Sequence, residues 1–438
     1  MLRRFVALTL CLVLFMNHRL LAWSAGGHKI VARIAWARLT PDKRKVISDL
    51  IRHNPRFDDD FVLPGNFTPN TDEGETEWLF TQAAVWPDLI RDNVDFNHDP
   101  WHYINQPVFL TDNDRNALEA TLRVNLRTEI PAMAEFSEMN AVQTLKFCLQ
   151  VLNDQNADDT EKGIYICWLI HLTGDLAQPL HSSAMFSRVA FPRGDKGGNF
   201  IPTDSGKLHG YWDGLLGKNI PFNDVRNRAA QVLMDPLLFT TGEMALEDLN
   251  PEKWVNESHE LCEMLVYSTE IRTAIERREL GLTSQVAETV LSAAYKQEAG
   301  KIARLQIARA GFRLGSLLEK IAAAQTEVTL PATEIKITGV LPDPIGRDSI
   351  GEVIRIKNLT PQMFTITGWI VRDDDGDELV LQGTLATGQE QDIVDISNDL
   401  PLSNSGDTIE LVSPSGAVMQ RFEYLESQVS QGVFIDVQ

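Results

Sequence analysis

The sequence predicts a mainly α-helical domain followed by an antiparallel β-sandwich. Three observations predict it: helical spacing of apolar residues up to about residue 325, a linker-like TEVTLPAT, and an apolar period of two beyond it. With 438 residues the chain has room for two domains. The divisions expected are a signal peptide at 1–22, a helical domain at 23–325, a linker at 326–332 and a sandwich at 333–438.

The N-terminus comes first. Arg3 and Arg4 precede the apolar run Phe5 to Met16, too short to span a bilayer, so the segment reads as a cleaved secretory signal. A secreted or periplasmic location follows, and no later stretch predicts stable membrane insertion. Composition is that of a globular protein, 43% apolar and 23% charged, with formal charge −21. Residues 1–22 hold three arginines and no acid, so their removal leaves −24. Such a chain has no general affinity for polyanions, and a phosphate-ester substrate would need bound cations to supply positive charge.

Helical patterns follow in WSAGGHKIVARIAWARL, AVQTLKFCLQVL, EKGIYICWLIHLTGDL and SHELCEMLVYSTEIRTAIE. The stretch TSQVAETVL…KIAAAQ reads as one long or two stacked helices. Residues 54–74, 105–115 and 187–207 are rich in Pro, Gly, Asn and Asp and read as loops. Beyond Gln325, runs such as EIKITGVL, EVIRIKNL and TIELVSP are separated by PDPIG, DDDGDE and SNSGD, the rhythm of a sandwich of about 100 residues. Cys11 lies in the signal. Cys148, Cys167 and Cys262 read as buried free thiols, with one disulfide as the alternative.

Metal-ligand chemistry concentrates in the helical domain. His171 and Asp175 are four apart, as are His209 and Asp213, which puts each pair on one helix face. Two such pairs can enclose a metal across a bundle. Pro179 disturbs the helix after Asp175, so His181 can turn away to serve a second ion. His28, Asp88 and His102 stand in similar His/Asp contexts. Imidazole and carboxylate without thiolate suit hydrolytic zinc. Each residue also has a structural reading: a lone His-x-x-x-Asp pair is commonly structural, Asp88 alone could be an N-cap, and His102 could be a satisfied core histidine. His53, His98 and His259 read as surface residues. Joint occurrence of five histidines and three aspartates in one helical domain favours a metal site.

These motifs (W-x4-H, WPD, WHYIN, HLTGD-x2-QPLH, GDKGGN and LH-x2-WD) resemble the secreted zinc-dependent single-strand nucleases of the mung bean nuclease type, relatives of zinc phospholipase C, over about residues 23–320. The resemblance implies a phospholipase C/nuclease-like helical domain holding three zinc ions. Asp88, His102, His171 and Asp175 would hold one. Trp23, by its free amine and carbonyl, would hold a second with His28 and a shared Asp175. His181, His209 and Asp213 would hold the third. The amine requires cleavage just before Trp23; the alternative cut after Ser24 would remove that ligand. Zinc bridged by Asp175 would supply hydroxide to attack phosphorus. The implied substrates are single-stranded DNA or RNA, cut to 5′-phosphates, and 3′-nucleotides. Tyr103 matches a stacking aromatic. Asn105 stands where relatives often carry a base-binding Asp, and Asn can both donate and accept. Gly214 and Leu215 replace a polar substrate contact of some relatives. The alternatives are a zinc phospholipase C on the same cage, or an inactive binding protein acting through its tail.

The C-terminal strands resemble the lamin tail domain, on VLPDPIGRDSIGEVIRIKN, ITGWIVRDDDGDELVL and LSNSGDTIELVSPSG. That likeness implies an immunoglobulin-like sandwich with Trp369 as a core anchor and an adhesive or targeting role. DDDGDE reads as a solvated hairpin turn, with a calcium site the lesser alternative.

Overall fold

A 34-residue helix, Ala293–Thr326, organises the helical unit in the computed structural model. The structure describes residues 23–64, 72–93, 95–96, 98–154, 156–326, 334–345, 351–395 and 399–437. The signal segment and the expected linker from residue 327 on lie outside these. The chain divides into two compact units, up to Thr326 and from Glu327 onward.

The long helix is rich in Ala, with Leu, Lys and Arg next, residues of high helix propensity. Its small buried face, including Ala303, Ala308 and Ala310, lets it pack against helices Ala25–Arg38, Pro41–Arg52 and Asp159–Asp175. It starts only at Ala293, so the helical spacing over 284–292 is not used. Val286, Thr289 and Val290 are β-branched, and Thr289 bridges to Thr203 in parallel while the Leu291 N–H donates to Asp204. The stretch SHELCEMLVYSTEIRTAIE is likewise interrupted. Helix Pro251–Leu261 runs into a π-turn at Cys262–Val266, and a new helix begins at Thr269. Between them Tyr267 is drawn into the core, where its hydroxyl donates to Asp195 Oδ2 at 2.9 Å. All three cysteines are buried free thiols.

One element of the helical unit matters for the site and has no helical signature. Gln106–Phe109 and Ser183–Phe186 form a short parallel ladder, Gln106 opposite Ser183. Just before it, the Ile104 N–H donates to the His181 carbonyl at 2.8 Å. The segment carrying His102 is thereby fastened beside the segment carrying His181.

The second unit is built of antiparallel strands. One sheet has the order Glu390–Asp395, Glu352–Asn358, Ile335–Leu341, Ile435–Asp436; the other Val418–Leu425, Gly406–Val412, Ile370–Arg372, Glu378–Val380. Ile335, Ile337, Ile354 and Ile356 of the first and Val371, Leu379, Ile409 and Leu411 of the second share one apolar core, as in a β-sandwich. Trp369 belongs to that core and meets Phe364 edge-on. DDDGDE makes the turn between Ile370–Arg372 and Glu378–Val380, with Gly376 at φ 90°.

Candidate metal centre

The Asp159–Asp175 helix starts at a cap in which Asp158 accepts the Thr160 N–H, and its last turn carries His171 and Asp175 on one face. The helix stops there because Pro179 cannot continue it. Gln178 caps the next short helix, Pro179–Ser182, and so places His181 back toward Asp175. From the N-terminal side, helix Ala25–Arg38 brings His28 over His171, rings stacked at 4.1 Å. This crossing needs Gly174: a Cβ there would lie 2.7 Å from His28 Nδ1.

Asp175 sits at the centre, fully buried. Its Oδ2 is 3.1 Å from both His102 Nδ1 and His171 Nε2; its Oδ1 is 3.3 Å from His28 Nε2 and 3.8 Å from His181 Nδ1. His102 Nδ1 and His171 Nε2 are themselves 3.0 Å apart. A carboxylate facing four imidazoles brings several lone pairs into a space that only protons or cations can reconcile. Three groups lie close enough to hold an ion, their donor atoms within 4.8 Å of one another: His28/His171/Asp175, Asp88/His102/His171, and His181/His209/Asp213. Among the described residues these are the only such groups.

The outer hydrogen bonds prepare the ligands. His171, His181 and His209 each direct Nδ1 at a carbonyl, of Ala84 (2.8 Å), His102 (2.7 Å) and Gly197 (2.6 Å) respectively. A carbonyl only accepts, so each Nδ1 carries the proton and each Nε2 keeps its lone pair inward, the arrangement of metal-bound histidine. The buried His28 Nδ1, His102 Nε2, His181 Nε2 and Asp175 Oδ1 have no hydrogen-bond partner. Buried polar atoms are seldom left so, and a bound cation would satisfy them. The residues therefore fit metal ions.

The charges agree. Burial alone would push the Asp175 carboxyl up, but His171, His181 and the His102 hydrogen bond hold it well below the usual range. Burial pushes Asp213 well above that range despite a 2.7 Å hydrogen bond from Gln178, so ionised Asp213 requires a cation beside it. Burial, with Arg91 assisting, lowers His102 to about 4, and burial also lowers His28 and His181, keeping these rings neutral and able to ligate. His171 is shifted up: burial opposes, but Asp175 and Asp88 outweigh it.

Sequence reading missed several of the supports. Arg91 donates to Asp88 Oδ1 at 3.0 Å and fixes it; its i, i+3 spacing from Asp88 was a usable signal. Asp88 is no N-cap, since it lies inside the turn Trp86–Leu89 after Val85. His98 and His259 are half-buried rather than surface residues: His98 packs on Trp101 at 4.0 Å, and His259 Nδ1 is 2.8 Å from Ser183 Oγ. His53 is exposed. Trp23 is fully buried, and the following Ser24 N–H donates to the Asp213 carbonyl at 3.1 Å, which places these two residues beside the third group. Tyr103 follows His102 in extended backbone (φ −149°, ψ 165°) and is 37% exposed, while Asn105 is half-buried.

Two predictions arise from this geometry. Gly174→Ala should displace His28 and lower metal affinity by about 10-fold or more, the scale of disturbing a ligand's support; competition with a chromogenic chelator measures it, and wild-type affinity would contradict it. The second concerns acid. His102, folded near 4 and ordinarily 6.5, contributes stability that is present above pH 6.5 and lost as pH falls toward 4. Asp175, depressed, adds to the acid loss; His171 and Asp213, both raised, oppose it. The chelated protein is expected to melt lower as pH falls through that window, and calorimetry showing a higher Tm would contradict this.

In the helical unit five histidines and three aspartates form three buried groups, each with the donor set and spacing to hold a metal ion. The chain belongs to the S1/P1 nuclease family, whose profile matches residues 23–323. Endonuclease 2 of Arabidopsis thaliana is 24% identical over 219 residues, 49% of this chain and 62% of that protein, so the likeness spans less than two-thirds of the relative's length. Among solved structures, the alpha toxin from Clostridium absonum gives a TM-score of 0.29 at 12% identity, covering 95% of this chain and 98% of that one. The Clostridium perfringens alpha-toxin from an avian strain gives 0.24 at 13%, covering 90% and 94%. Superpositions this loose carry no weight for fold or activity.

Proposed function

We propose that this protein is an exported zinc-dependent phosphodiesterase that cuts single-stranded DNA and RNA to 5′-phosphate products and removes 3′-phosphates from nucleotides. Family membership supports nuclease chemistry, and the observation that carries the reading is Asp175 facing four histidines. In this reading Asp88, His102, His171 and Asp175 hold one ion. Trp23 and His28 share Asp175 around a second, and His181, His209 and Asp213 hold a third. Bound zinc would supply Lewis acidity, activating water at neutral pH and neutralising phosphate oxygens.

The chain's own residues do the rest. Asp175 stays ionised and orients four imidazoles at once. Arg91, with its side chain 13% exposed beside Asp88, keeps that carboxylate in place and adds positive charge where a phosphate would approach. Tyr103 offers an exposed ring next in sequence to His102, suited to stacking one base, and Asn105 offers both a donor and an acceptor to that base. Residues 1–22 are removed before Trp23 so that its amine can ligate. The decisive assay offers the purified protein single-stranded DNA, RNA, 3′-AMP and phosphatidylcholine, with and without chelator. Chelator-sensitive turnover of the first three supports the proposal. Turnover of phosphatidylcholine alone would replace it by a phospholipase, and turnover of none would refute it.

A further inference from the structure

The loop carrying GDKGGN does more than accept a hydrogen bond from His209. With the Pro202–Lys207 hairpin and the end of helix Thr269–Glu279 it encloses a cleft of ≈ 480 Å³, whose lining includes Asn199, Phe200, Lys207 and Arg278. That volume suits a small ligand or part of a polymer. Phe200 is 51% exposed, and Lys196 Nζ lies 5.4 Å from its ring centroid.

The charge pattern here departs from that of the chain. On a protein of formal charge −21, Lys207 and Arg278 line one cleft and Lys196 stands over its Phe200, and none of the three pairs with a carboxylate among the described residues. Two cations outside the cleft are paired: Arg188 with Asp114 at 2.9 Å and Lys296 with Asp204 at 2.8 Å. Two nearby acids are held by hydrogen bonds. Glu279 accepts the Val189 and Ala190 N–H groups, and Asp195 is buried, facing Met185 and Tyr267. Lys196 sits at φ 55°, the only non-glycine among the described residues with positive φ. A lysine there is strained, and backbone strain gathers at functional sites. The cleft adjoins the third metal group through the chain itself, because Gly197 accepts from His209 and Lys207 precedes the helix Leu208–Asp213.

We propose that this cleft is an extension subsite for a single-stranded polynucleotide, with one base stacked on Phe200 and backbone phosphates held by Lys196, Lys207 and Arg278. The assignment rests on the phosphodiesterase reading and deepens it: the clustered ligands handle one phosphate, and the cleft grips the strand beyond it. Stacking and phosphate pairing without base-edge contacts bind strands with little sequence preference. A mononucleotide held at the metal groups carries no further phosphates for the cleft, so the subsite separates polymer from mononucleotide substrates.

The test uses the full metal-loaded chain and a fluorescent oligothymidylate with phosphorothioate linkages, followed by anisotropy at about 50 and about 200 mM salt. Two variants are compared with wild type: Lys196→Gly/Lys207→Ala/Arg278→Ala, in which glycine suits the left-handed position, and Phe200→Ala. The triple variant is expected to bind about 10-fold or more weakly, with a log–log salt slope smaller by about 2, from about 0.7 per lost phosphate contact. Phe200→Ala should weaken binding by about 5-fold or more. In turnover, the loss of kcat/KM on a phosphodiester oligothymidylate should exceed that on 3′-AMP by about fivefold or more. Wild-type affinity and slope in both variants, at unchanged melting temperature, would overturn the subsite, as would a wild-type protein that binds no oligonucleotide at the lower salt. Binding lost in the variants while no substrate is ever hydrolysed would keep the cleft and refute the phosphodiesterase reading.

Discussion

Asp175→Asn is expected to remove turnover by about 10³-fold or more, a loss of about 4 kcal/mol of transition-state stabilisation, and to empty the metal groups that share this residue. The change is nearly isosteric, so the effect is electrostatic. The carboxylate is fully buried, with Oδ2 3.1 Å from two imidazole nitrogens and Oδ1 3.3 Å from a third. Asn replaces one acceptor by an N–H donor and deletes the charge that balances cations in a dry site. Each ring nitrogen now facing an acceptor would face a donor or a neutral oxygen. Circular dichroism should show the helices retained, while zinc per chain and phosphodiester cleavage both collapse. Retention of most of the turnover would refute the central role of Asp175.

Metal removal should have the second largest effect. The ligands come from segments far apart in sequence: His28 near the start, Asp88 and His102, then His171 to His181, then His209 and Asp213. Ions joining them would bind the folded chain and not the unfolded one. Each site held at about 1,000 times its Kd adds about 4 kcal/mol. At about 2 °C or more per kcal/mol for a unit of this size, EDTA should lower the Tm of the helical unit by about 10 °C or more. Zinc should restore it. The strand unit carries no such group among the described residues and should melt unchanged. A chelated helical unit with its original Tm would show that the histidine cage is satisfied without metal.

How much of this was legible before the fold is clearest residue by residue. The His171/Asp175 and His209/Asp213 pairs follow from helical spacing alone, and the turn to His181 follows from Pro179. Which groups meet across the bundle does not. Nothing in the local sequence says that His28 stacks on His171, because that contact depends on Gly174 in another helix. The carbonyls of Ala84, His102 and Gly197 that set the histidine tautomers carry no side-chain signature. Gln178 looked like a polar residue before a proline, yet it caps a helix and holds Asp213. In the C-terminal unit, alternation marks Ile335–Leu341 and Glu352–Asn358 well, since one face is buried. The Glu390–Asp395 strand escaped because EQDIVD is half acidic, which propensity reads as loop; its pairing along Glu352–Asn358 overrides that preference. The cationic cleft escaped for a different reason. Net charge averages over the chain, whereas Lys207 and Arg278 come to line one cleft, with Lys196 over its Phe200, only after folding.

The central claim is that these distant segments cage three zinc ions, and metal analysis of the purified, processed protein tests it most directly. Elemental quantification against protein concentration should give about three zinc per chain, the number of donor groups present. A preparation that is folded and active yet contains no zinc would contradict the account.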